Sequence, residues 1–328
     1  MADLPFTLEE FEVAEESRLK VRVQPGNFTL YAGYKQLASR IYNIKFRSGD
    51  VVLMSTPKSG THWAAEMLWN IINQVDIEAA KKDLLFRRVP MLEISHIDAE
   101  KTEELKEKKA AGENLLPIEE TVIFNDSIET FEKLPSPRIC YTHLPFILLP
   151  PNILEVCKIV YITRNPADVI VSYHPFMAAG PNFDVNFENF FKMFLDGTAL
   201  FTPYWSSVKE AWKRKDHPNM LFLLYEEMKQ DLRGCIKNVS KHLQRPLTGE
   251  QVDRLEDHLS FESMKSNSSV NMKHLAGSAF FSKDGQLCRK GQIGDSLNTL
   301  SDDQKKQMKE WCDANRGDCN ITFPGLDQ

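Results

Sequence analysis

The stretch VVLMSTPKSGTHWAAEMLWNIINQV, residues 51–75, decides how the rest of the chain is read. Val51 to Ser55 is a short apolar run of strand length that opens on two β-branched valines, Pro57 and Gly60 follow it, and from Thr61 to Val75 the apolar positions recur at helical spacing. The pattern predicts strand, turn and helix. A glycine-containing turn that feeds a helix presents backbone N–H groups with no partner inside the helix. The helix dipole adds its positive end there, so an anion such as phosphate fits. The octet TPKSGTHW, Thr56 to Trp63, is not the triphosphatase loop GxxxxGK[ST], because Lys58 precedes Gly60 and the first glycine is missing. Taken as a bare pattern, it reads equally well as a structural turn.

Outward from this unit, further apolar runs of strand length lie at Ile139 to Thr142, Lys158 to Thr163 and Met220 to Tyr225. Helical patterns such as Phe187 to Leu200 and Ser206 to Lys215 separate or follow them. Strands alternating with helices predict an α/β fold whose central parallel sheet is flanked by helices, with ligands bound where loops leave the carboxyl ends of the strands. The segment from about Pro90 to Pro135 interrupts the rhythm with many Glu and Lys and only scattered apolar residues, and reads as an inserted lid. Leu300 to Asn315 resumes a polar amphipathic helix. One domain over 1–328 with an acidic insertion at about 90–135 is the economical organisation.

Composition narrows the partners. The 328 residues are 42% hydrophobic, ample for a sizeable core, and the formal net charge of -6 argues against nucleic acid. Between Glu93 and Glu132 fall 12 acidic and four basic residues, which leaves the remainder slightly basic and able to hold an anion. The N-terminus, MADLPFTLEEFEV, lacks the basic start and apolar core of a signal peptide, and no apolar run approaches a membrane span, so a cytoplasmic protein is expected. The six cysteines show no metal-ligand spacing, and reduced buried thiols are expected rather than a zinc site or disulfide framework.

The octet TPKSGTHW after an apolar strand closely resembles the 5'-phosphosulfate loop of the cytosolic sulfotransferases. YITRNPADVIVSYHPF (Tyr161 to Phe176) resembles that family's 3'-phosphate segment and RKGQIGD (Arg289 to Asp295) its C-terminal signature, while YTHLP, LYEEM and LSFESMK fall in the family's order. The similarity spans roughly residues 25 to 315 and looks strongest to insect members, including retinol dehydratase. It implies a P-loop-like fold and 3'-phosphoadenosine 5'-phosphosulfate (PAPS) as sulfuryl donor, released as adenosine 3',5'-bisphosphate (PAP), with no metal.

By the same resemblance Lys58 contacts the bridging oxygen of PAPS, and Ser59, Gly60, Thr61 and His62 offer donors to the 5'-phosphate. Trp63 and Phe261 pack on the adenine with Tyr225 nearby, and Arg164 and Ser172 bind the 3'-phosphate with Arg289, Lys290 and Gly291. His143 in YTHLP matches the family's base, a role suited to an imidazole that titrates near neutrality. Ser172 is grouped with Lys58 and His143 as catalytic. The acceptor is expected to be a small apolar hydroxyl compound held by Phe28, Phe146, Phe176 and Leu287.

Three departures stand out. Tyr141 replaces the lysine that usually precedes Thr-His-Leu-Pro, and Ser296 replaces a tryptophan. The usual dimerisation motif is missing from LNTLSDDQ, which puts a family-style homodimer in doubt. The alternative function is PAPS-dependent dehydration of an allylic alcohol such as retinol, which begins with the same sulfation.

Overall fold

A computed structural model describes residues 4–13, 16–95, 99–116, 119–120, 126–180, 183–271, 273, 276–278, 282 and 291–327. Near the N-terminus, β1 (Thr7–Val13), β2 (Glu16–Gln24) and β3 (Phe28–Tyr31) form an antiparallel sheet in that order. This sheet escapes the pattern reading. Its outer strand TLEEFEV is too rich in glutamate to look like a buried run, and only Phe28 to Tyr31 is buried throughout.

The second sheet contains β4 (Val51–Ser55), β5 (Ile139–Thr142), β6 (Lys158–Thr163) and β7 (Met220–Leu224), parallel and in the order β5-β4-β6-β7. Every residue of β4 and β5 is buried, as expected for strands covered on both faces. Register aligns Met54 with Thr142 and Tyr161, and Thr163 with Leu224, so four strand ends reach one edge together. The expected parallel α/β architecture is present.

Helix α1 (Tyr34–Tyr42) follows the first sheet, and α2 (Thr61–Ile72) follows β4. The polar helix α3 (Ala99–Ala110) lies between β4 and β5, and α4 (Pro166–Ala178) follows β6. Then come α5 (Phe187–Asp196), α6 (Tyr204–Trp212), α7 (Tyr225–Gln230), α8 (Leu232–His242), α9 (Gly249–His258) and α10 (Asp302–Asn315). One apolar core surrounds the parallel sheet; a second, rich in aromatic residues, joins α4, α5, α6 and α10. Among the described residues no helix is long and apolar enough to cross a membrane. Cys140, Cys157, Cys235, Cys312 and Cys319 are all free and buried.

The acidic segment is not solvated at its start. Leu92 and Glu93 are fully buried, and Met91 bridges to Tyr141 beside the parallel sheet. Ser95 Oγ and Ser127 Oγ lie 3.0 Å apart, Ser127 N–H donates to Ser95 Oγ at 2.9 Å, and Ser127 Oγ donates to the Leu92 carbonyl at 2.8 Å. The segment therefore leaves and returns through a stapled neck. Of the scattered apolar residues of this segment, Ile118, Val122, Ile123 and Phe124 lie outside the described residues, Leu116 is exposed, and Ile94 packs on the core.

Candidate active site

The common edge of the parallel sheet gathers the site. Lys58 follows β4, His143 follows β5, Arg164 follows β6 and Tyr225 follows β7, so sequence positions far apart converge at the carboxyl ends of adjacent strands. In the loop after β4, Lys58 takes φ 63° and Gly60 φ 91°, both left-handed. For a lysine that conformation is strained. Gly60 is also sterically required: a Cβ there would lie 2.8 Å from Tyr225 Cδ2. No side chain caps α2 at Gly60, which keeps its first N–H groups available to an anion.

Hydroxyl pairs fasten this loop. Ser59 Oγ lies 2.6 Å from Thr56 Oγ1, and Thr61 Oγ1 lies 2.9 Å from Ser55 Oγ. Lys58 Nζ sits 4.3 Å from the centre of the Phe176 ring, which joins an expected donor residue to an expected acceptor residue. Ser172, on α4 four residues earlier, is half-buried.

Aromatic residues wall the neighbouring space. Trp63 and Tyr225 meet edge to face with centroids 5.8 Å apart, and Trp63 Nε1–H donates to the Leu259 carbonyl at 2.8 Å, just ahead of the short helix Phe261–Ser266. A Cβ on Gly291 would fall 2.3 Å from Phe261, so this glycine touches the aromatic face directly. Arg164 is buried, its guanidinium 4.5 Å from the Tyr225 ring centre; it donates to the Gln292 carbonyl at 2.7 Å, and its Nε has no hydrogen-bond partner among the described residues. Arg289, Lys290 and Leu287 lie outside the described residues.

One residue that pattern reading missed holds this corner together. Asp168 is buried and accepts from Gly294 N–H at 2.8 Å and Ser296 N–H at 2.9 Å, with Arg164 Nη2 3.4 Å away. It thereby ties the segment after Gly291 to the start of α4, and Ser296, at the family's tryptophan position, serves through its backbone. The available signal was an aspartate in the first turn of a helix beginning Asn-Pro.

His143 is partly exposed, with Phe201 and Tyr141 edge-on at 5.2 and 6.0 Å between ring centres. Its Nδ1 lies 2.9 Å from the Ser55 carbonyl, which only accepts, so Nδ1 carries the hydrogen and Nε2 the lone pair. Loss of hydration lowers the imidazole to about 4; the Ser55 bond opposes that shift, and the Lys58 charge adds to it. Phe201, from a region with no motif, is thus an immediate neighbour of the histidine. Tyr141 OH is 3.4 Å from His62 Nε2, and burial pushes the phenol up beyond the range where it ionises. Of the expected acceptor residues, Phe28 belongs to the core on β3, and Phe146 is mostly buried with Arg214 4.7 Å from its ring centre.

A family profile described as the sulfotransferase domain matches residues 48–320. The chain is 33% identical to sulfotransferase 1E1 of Bos taurus over 81% of this chain and 83% of that one. Among solved structures it resembles retinol dehydratase in complex with androsterone and the inactive cofactor PAP, with a TM-score of 0.88, 32% identity and 98% of each chain covered. A second structure of retinol dehydratase, with retinol and PAP, gives a TM-score of 0.87 over 98% of this chain and 99% of that one. The chain belongs to the sulfotransferase family and is a PAPS-dependent sulfotransferase.

Proposed function

We propose that this enzyme transfers the sulfuryl group of PAPS to a hydroxyl of a small, largely apolar acceptor, with His143 as base and Lys58 stabilising the phosphate that leaves. The observation that carries this reading is His143 Nδ1–H fixed on the Ser55 carbonyl, on the strand that also delivers Lys58. The acceptor hydroxyl gives its proton to Nε2 as its oxygen bonds to sulfur. The bond from sulfur to the bridging oxygen breaks, its electron pair goes to the phosphate, and Lys58 offsets that charge.

The residues suit a nucleotide carrying phosphates at both ends. The N-terminus of α2 and Gly60 form a cradle for one, while buried Arg164, with Nε unengaged among the described residues, suits the other. Trp63, Tyr225 and Phe261 offer flat faces for adenine. In this reading Ser172 joins Arg164 at the 3'-phosphate, as the family resemblance implies. A PAPS donor also agrees with the PAP bound in the two retinol dehydratase structures. A soluble cytoplasmic enzyme, folded as one domain with an inserted lid, completes the proposal.

A second reading is favoured by the likeness to retinol dehydratase over nearly the whole chain. An allylic alcohol sulfated at this site could lose sulfate and a proton, giving net dehydration. Incubation with sulfur-labelled PAPS and 2-naphthol, androsterone or retinol, followed by mass analysis, separates the readings. A stable sulfate ester supports transfer, whereas free sulfate with an anhydro product supports elimination. Release of PAP without consumption of any hydroxyl compound would contradict both.

A further inference from the structure

Glu93 opens the acidic segment, whose composition alone gives no reason to bury it. It is fully buried. One carboxylate oxygen accepts the His143 backbone N–H at 2.6 Å and the other accepts the Thr142 hydroxyl at 2.7 Å. Thr142 Oγ1 in turn accepts from Leu144 N–H at 3.1 Å, so the turn from Thr142 to Leu144 is organised around this one carboxylate. The ionisable groups facing it are Tyr31 of β3, Tyr34 of α1, and Cys140 and Tyr141 of β5; burial pushes all four up, with the Glu93 charge contributing, so they stay neutral. The Tyr31 and Tyr34 hydroxyls have no hydrogen-bond partner among the described residues. The Lys58 charge acts on the imidazole as well, and lowers it.

We infer that Glu93 is a positioning residue for His143: its carboxylate fixes the peptide from which the imidazole projects, and its negative charge, one peptide unit away, favours the imidazolium formed when the acceptor loses its proton. The inference rests on the proposed role of His143 as base. A lone carboxylate in this neutral, desolvated pocket acts strongly over a short distance, whereas the same charge at the surface would be screened. Burial raises Glu93 to about 7 against the hydrogen bonds from His143 and Thr142, which lower it, so its charge is present above neutrality and fades below it. His143 is already unprotonated throughout that range. A change in rate between pH 6 and 8 would thus report the carboxylate rather than the imidazole.

The test follows the His143 ring signals by NMR titration in full-length, PAP-bound protein, with His143→Gln for assignment, so that no acceptor is needed. In the wild type, His143 should show a second inflection where Glu93 ionises. Glu93→Gln, whose amide oxygen can still accept the His143 N–H, should abolish that inflection and lower the basicity of the ring. With whichever of 2-naphthol, androsterone or retinol is turned over, Glu93→Gln should lower kcat about tenfold at pH 8, with less loss at pH 6 and PAP affinity within about twofold. Glu93→Ala, which also removes the backbone anchor, should lose more. A wild-type His143 titration with no second inflection overturns the inference even if the variants fail to fold, as does a Glu93→Gln enzyme with wild-type titration and pH profile. If His143→Gln keeps full turnover, it is the base assignment that fails, whatever the titration shows.

Discussion

A histidine whose Nδ1–H is spent on a backbone carbonyl has only Nε2 left for a proton, and a lysine held left-handed in a tight loop has little freedom to be elsewhere. His143→Ala and Lys58→Ala should each reduce turnover by about two to four orders of magnitude, the usual cost of losing a general base or an electrostatic stabiliser. Their effects on the donor site should differ from that of Arg164. Calorimetric titration with PAP should show nearly unchanged affinity for His143→Ala and a loss of roughly 1.5 to 3 kcal/mol for Arg164→Ala. Equal losses in the two variants would contradict the division of roles. That Lys58, His143 and Arg164 meet at one sheet edge was legible because each lies in a contiguous motif after a recognisable strand; the roles given to them are the proposal. Glu93 and Phe201 were not legible, since the Glu93 contact with His143 joins residues 50 apart and no local pattern announces it. Acidic composition even pointed the wrong way, because it averages one buried carboxylate with the exposed ones around it.

At the scale of elements, the turn into α2 depends on the absence of one carbon atom. Gly60→Ala places a Cβ 2.8 Å from Tyr225 in a left-handed conformation, so either the loop or the aromatic ring must move. PAP affinity should fall about tenfold or more while the His143 ring titration in the free protein stays as in wild type, since the left-handed penalty alone is about 1–2 kcal/mol. The strands of the parallel sheet were readable as unbroken apolar runs, and their helices as 3.6-residue periodicities, because doubly covered strands have no polar face to disguise them. Helix α3 is another matter. Thr102 and Leu105 are buried although the helix is otherwise charged, with Lys106 paired to Glu103 at 2.7 Å and Lys108 to Glu104 at 2.8 Å. A narrow buried stripe above a stapled neck suits the lid proposed for this segment. Replacing Glu100 to Glu113 by a short Gly/Ser linker should raise the acceptor KM and increase acceptor-independent loss of PAPS, with PAP affinity close to wild type. A folded variant with unaltered kinetics would reduce the segment to surface.

For the whole molecule, buried titratable groups link the site to stability. Glu93 has a folded pKa of about 7, above its ordinary carboxylate value, so between about 4.5 and 7 the native state holds a proton that the unfolded chain has released. Its contribution therefore falls as pH rises through that window. His143 and His242, both lowered to about 4 chiefly by burial, work in the opposite sense: the unfolded chain binds their protons first, and stability rises from about pH 4 to 6.5. Removing Glu93 as a titrating group takes away one of the contributions that oppose the histidines, leaving those of Glu210 and Glu226, which burial also raises. Denaturant melts of Glu93→Gln should accordingly gain more stability between pH 5 and 7.5 than the wild type does, and an identical slope would refute the assignment.

The antiparallel sheet at the start of the chain, invisible to pattern reading, reaches further than its position suggests. Thr29 on β3 donates its N–H to the Thr202 carbonyl at 2.7 Å, accepts from Phe201 N–H at 2.8 Å, and donates its hydroxyl to the Gly197 carbonyl at 2.7 Å. Phe201, held this way, lies beside His143. For anyone expressing the protein, trimming the leading residues to the start of the family match at residue 48 would discard the brace behind that phenylalanine. Such a shortened product could keep its nucleotide loop and still be a poor enzyme, so truncated or tagged versions are best judged by acceptor turnover rather than by capture on a nucleotide resin.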